Sequence, residues 1–493
     1  MFMIYFTLFH LTGEGSHSGL VRPPAKRLPC ESGVVGSNPT PSAVLTELIQ
    51  YPEQGSNHRE SIMPHYYYIW TIGCQMNKAD SVHLAVSLEA AGLTAVNRAD
   101  DADIIILNSC VVRRSAEQKV INKLTALRSY KEKKADTSII LTGCLAGADQ
   151  EVLQKQFPFV DLFLKPQDWK TWQYWLDEQG ILTGNAAAVL PAGQKSATAY
   201  VSIIKGCNNF CAYCIVPYRR GREESRSPAE IYQQVAGLVS NGVKEVTLLG
   251  QNVDSYGHDL SSKPDLADLL TELQQIRGLS RIRFLTSHPK DMSLKLIDTI
   301  ARLDKVCECI SLPMQAGDDD ILKAMRRGYT MEQYRKLVEA IRRTVPEAAL
   351  STDVIVGFPG ETEEQYQHTY KTLAELKFDT VHVASYSVRQ DTLASRLDDN
   401  VPQKEKMRRL HQVEELQEKI ATEINACMQG KEVEVLLEGK VRGKWFGRTR
   451  TDKLVFLEEE NCRIGQLINV KINKTSPWSL QGTLRGLSCT AGE

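Results

Sequence analysis

Three cysteines, Cys207, Cys211 and Cys214, fall within eight residues and directly follow an apolar run of strand type. This x3/x2 spacing limits the chain more than any other feature. Three thiolates on one short loop can wrap three irons of a cubane and leave the fourth iron open. A structural zinc site needs a fourth ligand, normally from a second paired knuckle, and no such knuckle follows. The chain has twelve cysteines in 493 residues, too few for a disulfide scaffold. Clustering of this kind reads as metal ligation in a reducing compartment.

A loop of thiolates needs a rigid frame, and the sequence around it supplies one. Candidate strands at 199–205, 244–250, 281–287, 307–312, 349–356 and 379–386 alternate with helical stretches at about 228–241, 266–277, 292–302, 331–344 and 362–376. Six strand–helix units in this span predict a partial (β/α)6 barrel, whose chemistry belongs at the C-terminal strand ends. The loops GQNVDSYG (250–257), TSHP (286–289), LPMQAG (312–317) and GFPGE (357–361) fall there. Thr362 and Gln365 have the spacing of a capping box for the last of these helices.

Upstream, YYYIWTI (66–72), DIIILNS (103–109) and TSIILTG (137–143) read as buried strands, with amphipathic stretches at 80–91 and 115–130 between them. Alternation of this kind predicts a parallel sheet covered by helices. A cysteine stands at the end of each run: Cys74, Cys110 and Cys144. The carboxyl edge of an open α/β sheet is where ligands bind, so the three can converge on one cofactor. Without an obvious fourth ligand they suggest a second [4Fe–4S] cluster. Cys307 and Cys309 share one face of a strand and read as core, and the remaining cysteines as incidental.

After an amphipathic helix at about 403–428, VEVLLEG, KWFGRTR, LVFLE, LINVKIN and SLQGTLRG predict a small antiparallel barrel. Residues 439–453 hold six cations against one acid, Asp452, with Trp445 and Phe446 interleaved. Cations for phosphate and rings for bases suit RNA, which makes Arg442, Lys444, Trp445, Arg448 and Arg450 the candidate RNA contacts.

The fold class is therefore α/β in three parts: a parallel α/β sheet domain at 64–180, a partial (β/α)6 barrel at 193–425, and a small antiparallel β-barrel at 426–489. The stretch 177–199, rich in Ala, Gly and Ser, reads as the linker between the first two. Lys plus Arg is 59 against 60 for Asp plus Glu, a formal charge of −1 that excludes a polycationic chain. No apolar run reaches the roughly 18 residues of a membrane span, so no membrane partner is expected and the cytoplasm is the expected location.

Residues 1–62 are a different text. Residues 1–12 are apolar but lack the basic segment and clean cleavage site of a secretory signal, and 13–62 carry the composition of disorder. The Gly-Ser-Asn-Pro within 33–42 is what the DNA string GGTTCGAATCC would encode, a string that resembles the T-arm of a tRNA gene. The expectation is that translation starts at Met63 and that 1–62 are a misread upstream gene.

The x3/x2 triad followed by a partial barrel resembles the radical S-adenosylmethionine enzymes. TIGCQMN, NSC, TGC, PYRRGREESR, LLGQNVDSY and TDVIVGFPGETEE, in that order over about 67–487, resemble their tRNA methylthiotransferase family, and the last domain resembles the TRAM RNA-binding module. The resemblance implies two [4Fe–4S] clusters, S-adenosylmethionine, a tRNA substrate, a sulfur donor and an electron donor such as flavodoxin or ferredoxin. Cys207, Cys211 and Cys214 would then be catalytic, and Cys74, Cys110 and Cys144 would hold the sulfur-donating cluster. Gln251, Asn252, Gln315 and Asp353 become candidates for S-adenosylmethionine or substrate contacts, and Tyr213 offers its backbone to the adenine. GQNVDSY points to the branch that converts N6-isopentenyladenosine, 3′ of the anticodon, to its 2-methylthio derivative. The alternatives are action on N6-threonylcarbamoyladenosine or on a ribosomal-protein aspartate, and a non-catalytic iron–sulfur RNA-binding protein. Three positions depart from the pattern: Ser311 stands where His is expected, Val82 where Glu is, and Asp391 where Gly is.

Overall fold

The computed structural model describes residues 66–112, 114–134, 136–181, 191, 196–459 and 461–484. The expectations for 1–62, and most of the predicted linker, lie outside these residues.

The first domain is a five-stranded parallel sheet of β1 (Tyr66–Thr71), β2 (Thr94–Ala95), β3 (Ile104–Ser109), β4 (Ser138–Gly143) and β5 (Leu162–Phe163), in the order β2-β1-β3-β4-β5. Every residue of β3 is buried, because alternate side chains feed two different cores. Ile105 and Leu107 pack with Val120, Leu124 and Leu127 of the Arg114–Lys133 helix. Ile104 and Ile106 pack on the other face with Leu84 and Leu88 of the Gln75–Ala90 helix and with Trp172. A strand covered on both sides reads as a continuous apolar run, which is why IIIL carries no alternation.

The second domain has six parallel strands. β6 (Thr198–Ser202), β9 (Glu245–Leu249) and β10 (Arg281–Phe284) form one half-sheet, and β11 (Cys309–Ser311), β12 (Ala349–Val356) and β13 (Thr380–Ser385) form the other. Bonds from Ile282 N to Lys305 O (2.7 Å) and from Cys307 N to Ile282 O (2.9 Å) join the halves. Among the described residues β6 and β13 do not pair, so the barrel is open, as expected. Side-chain caps start its helices, including the Thr362–Gln365 capping box, each worth about 1 kcal/mol. The sequence run 199–205 is not one strand. It breaks after Ser202, and β7 (Ile204–Lys205) turns away to pair with β8 (Glu224–Ser225).

The last domain is a closed barrel of β14 (Glu432–Val441), β15 (Lys444–Thr449), β16 (Leu454–Leu457), β17 (Leu467–Thr475) and β18 (Leu480–Leu484), in the order β14-β15-β16-β18-β17. It differs from an all-antiparallel barrel in one seam, β16 with β18, which is parallel. An odd number of strands cannot alternate direction all the way round a closed ring, so one parallel seam is forced.

This barrel docks on the N-terminal strand ends of the second domain, opposite its loop-bearing end. Arg281 and Arg283, at the start of β10, reach into it. Arg281 pairs with Glu434 at 2.8 Å and donates to Arg448 O. Arg283 pairs with buried Glu245 at 2.9 Å and donates to Arg450 O and Thr449 O. In return Arg450 pairs with Glu308 at 2.6 Å and Lys453 with Asp379 at 2.8 Å.

Candidate metal and substrate site

Cys74, Cys110 and Cys144 stand just past the ends of β1, β3 and β4, three neighbouring strands, so the sheet brings them to one edge. The backbone is drawn tight there. Gly73 has φ of +132°, and a Cβ on it would lie 2.7 Å from the Cys110 Cβ. Asn77, one turn into the Gln75–Ala90 helix, stitches the edge together. It donates to Asn108 Oδ1 at 3.0 Å and to Ser109 O at 2.7 Å, while its Oδ1 faces the Cys74 Sγ at 3.4 Å. All three thiols are buried.

Burial pushes the Cys74 thiol up to about 11, and the neighbouring Cys144 adds to the rise. Cys110 is driven up by burial and by both other cysteines. Thiols held like this ionise only where a cation supplies the missing charge. Among the described residues no His, Cys, Asp or Glu group is spaced for a single metal ion. A cubane takes its thiolates on separate irons, further apart than the ligands of one ion, and the all-cysteine donor set fits it.

The second triad sits on a loop whose two ends the β7–β8 ribbon clamps. Gly206 has φ of +74°, and a Cβ on it would lie 1.9 Å from Arg222 O, so only glycine fits. Cys207 N donates to Gly221 O, and Ala212 bonds Met325 O and accepts from Ala394 N, which fixes the loop across the barrel mouth. Arg327 donates to the Cys211 Sγ at 3.4 Å and to Pro313 O. Burial pushes Cys207 up to about 12 and raises Cys214 as well. The same requirement for a cation holds here.

At the mouth of the barrel the expected polar residues are buried, and several have no partner among the described residues. There, neither side-chain polar atom of Gln251 or Gln315 makes a hydrogen bond, nor does the Asn252 Oδ1. Gln315 holds φ of +71° while its N donates to Asp353 O on β12. Buried polar groups of this kind cost about 1–3 kcal/mol each when unpaired, which makes these residues candidates for contacts to a bound molecule. The Tyr213 side chain is buried beside them with its hydroxyl also unpartnered.

Sequence reading passed over four residues here. His288 accepts at Nδ1 from Lys290 N (3.2 Å), which leaves the proton of the neutral ring on the unpartnered Nε2. Burial, then Arg327 and Lys290, hold that ring neutral. Arg327 lies far from the triad in sequence. Arg220 belongs to PYRR, but its side chain leaves its own loop for the upstream triad, where it meets Asp80 and Asn77 and hydrogen-bonds the Cys144 thiol. No local pattern announces either arginine. Asp254, in GQNVDSY, is pushed up to about 7 by burial and accepts from Ser287 Oγ and His288 N. It thereby holds the TSHP loop.

The departures have consequences. Asp391 takes φ of +70°, a conformation that favours glycine, and pairs with Arg219 at 3.0 Å. Ser311 leaves a buried, unpartnered Oγ at the mouth.

The terminal barrel corrects the candidate RNA face. Trp445 is in the barrel core, because β15 alternates and puts it inward. Arg448 is held by Asp452 and Glu438, Arg450 by Glu308, and Lys444 by Glu458 at 2.6 Å. The segment contains a single acid, but the fold delivers three more from elsewhere. Arg442 remains exposed at the β14–β15 turn.

Residues 201–373 match the radical SAM superfamily, 66–165 the uncharacterized protein family UPF0004, and 427–484 the TRAM domain. The tRNA-2-methylthio-N(6)-dimethylallyladenosine synthase of Dehalococcoides mccartyi (strain CBDB1) is 53% identical over 85% of this chain and 98% of its own length. The protein of the same name from Herpetosiphon aurantiacus is 46% identical over 86% of this chain and 99% of its own. Among solved structures, the radical S-adenosylmethionine methyltransferase TsrM from Kitasatospora setae, with cobalamin and a [4Fe-4S] cluster bound, aligns with a TM-score of 0.50 and 14% identity. That alignment covers 68% of this chain and 77% of TsrM, a likeness of fold.

Proposed function

This chain belongs to the tRNA-2-methylthio-N(6)-dimethylallyladenosine synthase family, and we infer that it converts N6-isopentenyladenosine, 3′ of the anticodon in tRNA, to the 2-methylthio derivative. The observation that carries this is similarity at about half identity over 85% of this chain and 98% of the relative, joined to a cysteine loop beside a mouth of unpartnered polar groups. When bound, a [4Fe–4S] cluster on Cys207, Cys211 and Cys214 with S-adenosylmethionine supplies the hydrogen-abstracting radical, and a second cluster on Cys74, Cys110 and Cys144 supplies the sulfur.

The chain's own residues do the rest. Gln251, Asn252, Gln315 and Asp353 bind the amino-acid and ribose parts of S-adenosylmethionine or the substrate base. The Nε2–H of His288 and the Tyr213 hydroxyl offer further hydrogen bonds, and apolar walls around them exclude water. Arg327 fixes the Cys211 sulfur against the Pro313 carbonyl. Electrons come from a carrier such as flavodoxin or ferredoxin, and a separate donor replaces the sulfur. Among the described residues no helix is long and apolar enough to cross a membrane, and the proposed working place is the cytoplasm.

A nucleoside profile tests the reading. In tRNA from a strain lacking this protein, 2-methylthio-N6-isopentenyladenosine should vanish and isopentenyladenosine should accumulate. The chain supplied from a plasmid should reverse both. If 2-methylthio-N6-threonylcarbamoyladenosine is what disappears, the substrate assignment is wrong.

Arg442 is the proposed phosphate contact of the terminal barrel, joined by Lys444, whose solvent-exposed pair with Glu458 holds it only weakly. Changing both to Gln should flatten the dependence of log K on log salt for tRNA by about 1–2, close to one per phosphate lost. Arg450→Gln should instead lower thermal stability, since it undoes a docking pair. An unchanged slope in the Arg442/Lys444 variant would place tRNA on another face.

A further inference from the structure

Arg220 hydrogen-bonds Cys144 of the upstream triad although it belongs to the segment that follows the second triad. It ends the Val216–Arg220 helix, six residues after Cys214 of the second triad. Its side chain is 1% exposed. Both Nη atoms bond Asp80 Oδ2 at 3.2 Å, and Nη2 also bonds Asn77 Oδ1 at 3.1 Å. It further hydrogen-bonds the Cys144 thiol, and its charge is felt at Cys74 and Cys110. Asp80 is in turn held by Gln167 at 2.9 Å, so the guanidinium sits in a fixed socket. Asn77 also braces the strand ends that carry Cys74 and Cys110. The placement is therefore part of the same edge, not a surface ion pair.

A buried arginine beside three thiolates is too costly to serve stability alone. A buried ion pair rarely stabilises a protein more than well-packed apolar residues of similar volume would. What it does provide is a permanent positive charge and N–H donors directed at sulfur, and these are the levers that set the reduction potential of a thiolate-bound cluster. Asp80 opposes that charge from the far side.

We propose that Arg220 is a positioning residue of the second domain that sets the reduction potential of the cluster on Cys74, Cys110 and Cys144, with Asp80 as its counterweight. The proposal rests on the two-cluster reading given above. One short segment then touches both sites, with Cys214 at one end and Arg220 at the other, so the two clusters cannot be placed independently.

The test uses the full chain with Cys207, Cys211 and Cys214 changed to Ala, reconstituted anaerobically so that only the upstream cluster remains. Iron is counted first: about four irons per chain are expected, and none would overturn the two-cluster reading itself. With the cluster present, its potential is measured by redox titration followed by EPR. Loss of the positive charge in R220M should shift the potential in the negative direction. R220K keeps the charge but not the planar fork, and should fall between R220M and the parent. D80N keeps the size of the side chain and removes the opposing charge, so it should shift the potential in the positive direction. An R220M potential equal to that of R220K, or a D80N protein that does not move positive, overturns the role of Arg220 while leaving the cluster in place. If R220M holds no iron, the sign of the D80N shift alone decides.

Discussion

Cys211→Ala protein should yield neither 5′-deoxyadenosine nor methylthio product, whereas Cys74→Ala protein should still cleave S-adenosylmethionine and fail only to insert sulfur. The expected loss of product is complete in both, and the difference lies in the cleavage assay. Cys211 is the buried member of the loop at the barrel mouth, held by Arg327. Cys74 lies at the edge of a different sheet, in the other triad. Iron analysis tests the division: the parent should take up about eight irons and the variant lacking Cys207, Cys211 and Cys214 about four. Normal product from Cys74→Ala would remove the sulfur role from the upstream triad. A parent that never exceeds four irons would remove its cluster.

Both triads were legible in the sequence because strand ends are local. IIILNS followed by cysteine needs only its own apolar run to declare a buried strand with a cysteine at its carboxyl end, and β3 is buried throughout. The loops of the barrel mouth were legible for the same reason. Gln251, Asn252 and Gln315 follow strands at fixed short distances, and all are buried at the mouth. What could not be read were contacts made across the fold. Arg220 sits in a quoted motif, yet its partner Asp80 is 140 residues away. Arg327 is 116 residues from Cys211. The terminal barrel shows the converse error. Six cations and one acid in a short segment looked like a free basic face, but Glu308 and Glu438 come from outside the segment to neutralise it. Local charge counting fails wherever a domain docks through its own charged strand. The one parallel seam of that barrel follows from strand number, which the sequence did supply.

The same docking face carries the second large effect. Arg283→Met should destabilise the attachment of the terminal barrel by about 3–5 kcal/mol, the usual cost of leaving a buried ion without its partner. Glu245 is 5% exposed at its side chain and loses its 2.9 Å partner. The Arg450 carbonyl loses its Arg283 donor as well, and the Thr449 carbonyl is left with Asp452 N. Arg281 is a weak substitute, since it lies 3.7 Å from Glu245 and is already committed to Glu434. A chain of several domains does not unfold in one step, so the effect belongs to a separate early transition. Limited proteolysis near 426–432 should release the terminal barrel from Arg283→Met faster than from the parent. Urea unfolding followed by tryptophan fluorescence should split into two phases, the first reporting Trp445. Removing the stranded charge too, in Arg283→Met with Glu245→Gln, should recover much of the loss, because the penalty comes from the unpaired carboxylate more than from the missing attraction. If the single variant keeps one transition at the parent's midpoint, the arginine pair does not hold the barrel. The long Gln403–Ala426 helix, which also packs toward β17, must then be what fixes it.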